Sequence, residues 1–345
     1  MATTVQTNTK YSDCEFKILI RHVVDGKIQY QTPVIEEGVT WETERQGSPG
    51  KLTFKCFKGA GDRIDKALNF QEGDEVRLYK DNTIIFRGYI FTKSRNKDGW
   101  ISVTAYDQLR YFKNKDTYVY SKKKANEVLK MIIDDYKLNS GTIQDTGYVI
   151  TNRVEDNQTL FDIIQNAIDI TVLETGKQFV LYDDAGKLCF KDVASEDMRL
   201  DLIIMDESVE DMDYSSSIDD STYNEIELYY DNDETNRREL YVAKDSDNIS
   251  TWGRLRYTES IQTPTNAANR AKTMLKLYNQ KTRKLQIKGA FGDVRCRGGS
   301  SVIVSLGLGD INVNNYMVVD KVTHTFKNNH HTMDLTLIGR GEFVS

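Results

Sequence analysis

One three-strand pattern occurs twice in this chain, once around residue 90 and again near its end. The first copy runs GDEVRLY (Gly73 to Tyr79), TIIFRGYIFT (Thr83 to Thr92) and WISVTAY (Trp100 to Tyr106). The second runs GSSVIVS (Gly299 to Ser305), NYMVVDKVTHT (Asn315 to Thr325) and TMDLTLIG (Thr332 to Gly339). Ile90 to Ile101 is eleven residues and Val322 to Met333 is also eleven, so the spacing aligns Ile90 with Val322. The first connection is longer in the second copy, where GLGDINVNN replaces KDN. A chain built this way carries two versions of one β meander and two similar surfaces, so three copies can mimic six.

At 345 residues the chain is long for a single core, and two or three domains are expected. Mean hydropathy is -0.55, and no run reaches the roughly 20 apolar residues that span a bilayer. The N-terminal MATTVQTNTKYSD lacks the apolar centre of a signal peptide, which implies synthesis and assembly in the cytoplasm, with release by lysis. Cys14, Cys56, Cys189 and Cys296 are far apart and lie mostly in strand-like segments, as buried thiols do. None has the C-x-x-C spacing or neighbouring His of a zinc site. Only 3 Pro stand against 19 Tyr and 22 Gly, a balance that fits β structure with glycine turns.

Charge is segregated. Residues 196–247 hold eighteen acidic and four basic residues, a net of -14, whereas 248–345 hold fourteen basic and six acidic, a net of +8. Opposite charge on adjoining segments points to docking, within one subunit or between subunits. A basic domain with clustered aromatics or a reading helix is missing, which argues against nucleic-acid binding.

Alternation of apolar and polar residues marks strands at EFKILI (Glu15 to Ile20), VTWETER (Val39 to Arg45) and KLTFKCF (Lys51 to Phe57). With the first meander these close a small barrel or sandwich ending near Phe112. Helical spacing follows at Ala125, Val128, Leu129, Ile132, Ile133 and Tyr136, with Ser121 as its N-cap, and at Leu160, Ile163, Ile164, Ala167 and Ile168, stopping near Gly176. A hairpin runs from Lys177 to Val193 across DDAG, and another joins NEIELYYD (Asn224 to Asp231) to RRELYVAK (Arg237 to Lys244). A helix from about Pro264 to Gln280 leads to RKLQIKGAF (Arg283 to Phe291) and the second meander. The expected fold class is α+β, mainly β, in three parts: 1–114, an α+β insertion at 115–200, and 201–345 with an embedded helix.

Chemical motifs were sought and none is complete. Ser121 to Lys124 matches S-x-x-K and Ser246-Asp247-Asn248 matches S-D-N, but Lys281-Thr282-Arg283 replaces the K-T-G of serine β-lactamases. His330 and His331 are adjacent and point to opposite faces of a strand. GLGDIN (Gly307 to Asn312) lacks the last glycine of a dinucleotide loop. Asp231, Asp233 and Thr235 begin like a calcium loop, but Asn236 and Val242 occupy the glycine and glutamate positions. Glu42 and Glu44 share a strand face like a glycosidase pair, as solvated strands commonly do. Trp41, Trp100 and Trp252 are scattered, as core or interface residues rather than the sugar platform of an adhesin. The expected catalytic, cofactor-binding and metal-binding sets are therefore empty.

The order of motifs resembles one family. The G-D-x-V opening at Gly73, the F-x-G-x-I strand at Phe86, Gly88 and Ile90, and A-Y-D-Q-L at Ala105 to Leu109 resemble phage tail hub proteins. The helix ANEVLKMIIDDYKL and the acidic VEDMDYSSSIDDSTYNEIELYY extend that resemblance along essentially the whole chain. It looks most like the late control D group of contractile tails and tail-like bacteriocins, in the PBSX-prophage form. The resemblance implies two related tube-like β domains per subunit and a structural, non-enzymatic hub: a homotrimer whose pseudo-sixfold ring joins the hexameric tail tube to the trimeric central spike. Other baseplate subunits and the tape measure protein are further partners on this reading. Phage and bacteriocin particles are both compatible with it. The competing expectation is a tail-associated peptidoglycan hydrolase or peptidase.

Overall fold

A computed structural model of the chain describes residues 15–36, 38–219, 221–232, 235–307 and 312–339. Cys14, Asp220, Asp233 and positions 308–311 of the GLGDIN loop lie outside the described residues. In the first part, period-two alternation produces β1 (Phe16–Val24), β2 (Lys27–Gln31), β3 (Val34–Ile35), β4 (Val39–Glu44), β5 (Lys51–Phe57), β6 (Glu75–Lys80), β7 (Thr83–Arg95) and β8 (Trp100–Tyr106). Trp41, Leu52, Phe54, Val103 and Ala105 point into one core, while Thr40, Thr53 and Thr104 take the other face. Asp25-Gly26 and Asp81-Asn82, all at positive φ, make the tight turns after β1 and β6.

The second part contains β9 (Lys115–Lys123), α1 (Ala125–Asp135), β10 (Ser140–Ile143), β11 (Ile150–Thr159), α2 (Leu160–Thr175), β12 (Phe179–Asp183) and β13 (Leu188–Asp192). Its core gathers Phe112, Leu129, Ile132, Leu160, Ile163 and Phe190. The expected N-cap is corrected here: Ser121 lies in β9, opposite Asn152 of β11. Tyr118 and Tyr120 alternate inward and keep the chain extended to Lys123. The Lys124 backbone N–H then donates to Glu127 at 2.8 Å and opens the helix. Gly176, at φ 75, closes α2 as expected.

The A-Y-D-Q-L motif is the weld between these two parts. Buried Asp107 accepts the Gly50 and Leu109 backbone N–H groups, each at 2.9 Å. Gln108 donates to Asp183 at 3.1 Å and accepts the Asn139 N–H at 2.8 Å. Gly88 of the F-x-G-x-I strand has a steric duty, since a Cβ there would overlap the Tyr106 carbonyl and the Phe86 ring.

The last part holds β14 (Arg199–Met205), β15 (Asp211–Ser217), β16 (Glu225–Asn232), β17 (Arg237–Lys244), α3 (Ser246–Trp252), β18 (Arg256–Ser260), α4 (Ala267–Tyr278), β19 (Thr282–Phe291), β20 (Ser301–Gly307), β21 (Asn312–Lys327) and β22 (His330–Gly339). The embedded helix expected near 264–280 is α4. It brings a three-stranded sheet, β17-β16-β18, and they share a small core of Ile226, Leu228, Ala271 and Met274.

The two meander regions belong to one sheet with the path β15-β19-β22-β21-β4-β5-β8-β7-β6-β1-β2, with β20, β14 and β3 branching from it. Duplication extends well beyond the meanders. In chain order, β1, β4, β5, β6, β7 and β8 pair as β4·β5, β5·β8, β8·β7, β7·β6 and β6·β1. The series β14, β15, β19, β20, β21 and β22 repeats every one of those pairings. Only β14·β20 differs in direction, being parallel where β1·β6 is antiparallel.

Details repeat too. Gly73, at φ 90, donates to Ile90 at 2.8 Å, and Ile90 donates back to Asp74 at 2.9 Å. Gly299, at φ 92, and Val319 exchange bonds in the same way, Gly299 donating to Val319 and Val319 to Ser300, both at 2.7 Å. Each β7-type strand then carries a bulge, at Phe91 and at Asp320. Ile90 therefore corresponds to Val319, not to Val322 as the eleven-residue spacing suggested. The reason is that the second hairpin is three residue pairs longer. Thr325↔Thr332, Phe326↔His331 and Lys327↔His330 continue it to an Asn328-Asn329 turn.

Candidate functional site, an assembly joint

The lengthened strand β21 joins the two halves. Six positions of β21, Lys321 to Phe326, pair antiparallel with β4, from Glu44 back to Val39. Phe326 reaches into the core of the first half, with its ring 5.7 Å from that of Phe16. Trp41, 3% exposed, stacks on the His324 ring at 4.6 Å. The joint is dry beneath and charged above. Lys321 sits between Glu42 at 2.9 Å and Glu44 at 3.0 Å, and Arg45 meets Asp320 at 3.2 Å. Burial alone would raise the Glu42 carboxyl, but Lys321 and Lys51 outweigh it and hold Glu42 below the usual range. Gly298 donates its N–H to Thr43 Oγ1 at 3.0 Å, and a Cβ at Gly298 would overlap the backbone of Glu44 and Arg45.

Under the joint lies a histidine pair that sequence reasoning missed. His324 Nδ1 and His331 Nε2 are 2.9 Å apart, and His324 Nε2 donates to the Cys296 carbonyl at 2.9 Å. The signal was present in the spacing, because an Asn-Asn turn at 328–329 places 324 and 331 diagonally on one hairpin face. Burial pushes His324 down to about 4, and burial with the neighbouring His324 pushes His331 down to about 3. Both rings are neutral in the fold, whereas in the unfolded chain they titrate near about 6.5. Between those values the unfolded state binds protons the folded state refuses. Stability is therefore complete above about pH 6.5 and falls as pH drops, by about 1.4 kcal/mol per pH unit per histidine. A series of urea midpoints from pH 7 to 4.5 should show that slope. His331→Phe, which removes one titrating ring, should reduce it by about half.

The residues singled out by motif are dispersed. Ser121 is on the β9·β11 ribbon, Ser246 is the first residue of α3 capped by Asp245, and Lys281 precedes β19. Glu42 and Glu44 are occupied by Lys321. Asp231 forms a two-bond ion pair with Arg238. His331 faces inward, as strand alternation requires, and His330 lies on the opposite face of β22. Among the described residues no group of three or more His, Cys, Asp or Glu could hold a metal, and no helix is long and apolar enough to cross a membrane. Cys56, Cys189 and Cys296 are buried free thiols.

Two clefts lie outside the paired strands of the joint. One of about 240 Å³ lies among Arg45, Gln165, Asp169, Phe179, Tyr278 and Tyr316. Its Asp169 carboxyl is raised by burial and takes a bond from Gln165 at 2.7 Å. The other, about 450 Å³, is lined by charges that satisfy each other, as Arg297 with Asp184 at 3.1 Å and Arg295 with Asp201 at 2.8 Å.

Charge segregation is answered inside the chain. Acidic Glu225 meets Arg254 at 3.1 Å and Arg256 at 2.6 Å, and Asp211 meets Lys288 at 3.2 Å. Part of the docking expected of the 196–247 and 248–345 segments thus occurs within one subunit, where β15 lies against β19 and β16 against β18.

Comparison with known proteins agrees with this architecture. A family model described as YqbQ-like matches residues 39–338. The uncharacterized protein YqbQ of Bacillus subtilis strain 168 is 30% identical over 312 residues, covering 88% of this chain and 92% of the relative. The phage-like element PBSX protein XkdQ of the same organism is 28% identical over 310 residues, covering 88% and 93%. Among solved structures, the 43 kDa tail protein of prophage MuSo2 from Shewanella oneidensis shares the fold with a TM-score of 0.66 and 11% identity, over 96% of this chain and 99% of that one. The E. coli c3393 protein, described as a type VI secretion component similar to T4 tail proteins gp27 and gp5, aligns with a TM-score of 0.54 and 11% identity, over 95% and 78%.

Proposed function

The chain belongs to the YqbQ-like family, and on that premise we propose that it is a structural hub subunit of a phage-tail-type baseplate. In this reading three copies form a ring that carries six similar sheet halves, so one face matches a sixfold tail tube and the other a threefold spike. The observation that carries it is the strand-for-strand duplication, down to the glycine-anchored exchange at Ile90 and Val319 and the bulge that follows each. Duplication within a chain is how a threefold object can present sixfold contacts without six subunits.

The three parts expected from sequence fit this role as units: 1–114 and 201–345 as the related tube-like parts, and 115–200 as an outward insertion. On the insertion ribbon, Val119 and Val154 are cross-strand partners, 68% and 66% exposed, and suit contact with other baseplate subunits. The work done is positional, with wall-cutting left to another component. The similarity to the phage-like element protein XkdQ supports reading the particle as a virion or prophage-derived tail, which on this proposal is assembled before lysis.

The experiment is the mass of the purified chain in solution. Three times 39.6 kDa is the expected species. A strict monomer at concentrations up to about 100 μM (weaker than about 5 kcal/mol of association) would reject the ring.

A further inference from the structure

The internal joint has an unfilled counterpart. In the path of the sheet, β15 stands at one end and among the described residues pairs with β19 alone, and it is the strand corresponding to β4. The register fixes the match. Trp41 faces Leu52, which faces Ala105, and Tyr214 faces Leu285, which faces Leu337. Tyr214 therefore corresponds to Trp41, and Ser215, Ser216, Ser217 and Ile218 correspond to Glu42, Thr43, Glu44 and Arg45.

The receiving edge has a counterpart as well. β4 lies against β21 from Lys321 onward, beyond the stretch that pairs with β20. On β7 the pairing with β6 ends at Tyr89, and among the described residues the same edge from Thr92 to Arg95 has no strand beside it, only a loop whose Phe70 and Gly59 carbonyls accept from the Lys93 and Arg95 side chains. Within one molecule β15 cannot reach it, because β19, β22, β21, β4, β5 and β8 intervene. At about 4.8 Å per strand that is more than about 30 Å. A second copy can.

We propose that β15 of one subunit adds to the Thr92–Arg95 edge of β7 in the next, in the register of the internal joint. The pairs are Thr92 with Ser217 of the partner subunit, Lys93 with Ser216 of the partner subunit, Ser94 with Ser215 of the partner subunit and Arg95 with Tyr214 of the partner subunit. This deepens the ring reading and rests on it. The contact is head-to-tail, so it closes a ring or runs on as a filament according to the angle it sets.

The residues at the corresponding positions differ in a consistent way. The Lys321–Glu42–Glu44 ladder becomes Thr92 against Ser215 and Ser217, a hydroxyl surface with no charge to desolvate. The Arg45–Asp320 ion pair becomes Ile218 and Phe91, both half-buried in the single chain, where the Phe91 ring already packs against Tyr106 and Tyr111. Tyr214 takes the place of Trp41 and meets Arg95, whose guanidinium also donates to the Gly59 carbonyl at 2.8 Å, where Trp41 finds His324. One position resists strict equivalence. Glu72 stands where Gly298 allows β4 to pass, so the incoming strand stands off at its Ser217 end. The gap is the one that Ile218 and Phe91 fill, and the ladder is tightest from Tyr214 to Ser216.

Cysteine cross-linking tests the register. Ser94 and Ser215 are exposed and stand directly opposite in the proposed ladder, at a separation a disulfide can bridge. In a Cys14→Ser background, Ser94→Cys with Ser215→Cys should give covalent dimers and trimers under mild oxidation. Either substitution alone should not, and the three remaining native thiols are buried. Ile218→Asp is the second variant. It should abolish the three-copy species while leaving the urea midpoint of the single chain within experimental error. A three-copy particle that fails to cross-link, or that tolerates Ile218→Asp, overturns the register and leaves the ring standing. Absence of any three-copy species in the unsubstituted chain overturns the ring reading itself.

Discussion

Gly298→Val is expected to part the two sheet halves and destabilise the folded chain by more than about 4 kcal/mol. The clash is with backbone, not with a side chain that could swing away. A Cβ at this position would overlap the Glu44 carbonyl carbon and the Arg45 nitrogen. Relief requires β4 to withdraw from β21, and withdrawal strips the six-pair ladder, the Gly298–Thr43 bond and the Arg45–Asp320 contact together. Urea denaturation should show a much lower midpoint. Limited proteolysis should also cut the newly exposed Lys321 and Arg45. Glu72→Val, at the corresponding position of the first half, should change the stability of the single chain by under about 0.5 kcal/mol, because among the described residues no strand passes there. A mild Gly298→Val phenotype would mean the joint is not as close as described.

Trp41→Ala should cost about 3–5 kcal/mol, the range for emptying a fully buried aromatic site. Trp41 fills the core on one side and the His324 ring on the other, so the cavity opens under the joint itself. Little nearby can collapse into it, since His324 is held by bonds to His331 and Cys296. Tyr214→Ala, its counterpart on β15, should cost the single chain much less, because among the described residues that strand has a neighbour on only one side. Urea midpoints of the two variants, measured at equal dilution, compare a filled joint with a vacant one.

Much of this architecture was legible in sequence because strands with one solvated face alternate strictly. KLTFKCF, NEIELYYD, RRELYVAK and RKLQIKGAF fall within a residue of β5, β16, β17 and β19, while EFKILI finds the start of β1 and stops four residues before its end. The helices α1 and α2 were equally plain from their apolar stripes and from Gly176. What escaped notice had weak or borrowed signals. β9 carries Ser121 and several lysines outside, and only its pairing with β11 keeps it extended. α3 is seven residues long and buries none of them. The three-residue offset between the copies escaped because a bulge and a longer hairpin change the count without altering the pattern of apolar residues. The joint was invisible for a simpler reason: edge-to-edge pairing of strands 277 residues apart, as between Glu44 and Lys321, leaves no local trace. The buried histidines followed it into obscurity.

End-on images of the assembled protein, averaged without imposed symmetry, test the central claim most directly. Three subunits with duplicated halves should give six lobes of similar size about a central opening, alternating in detail so that only threefold symmetry is strict. Three lobes, or a ring in which the halves of 1–114 and 201–345 occupy unlike radii, would contradict it.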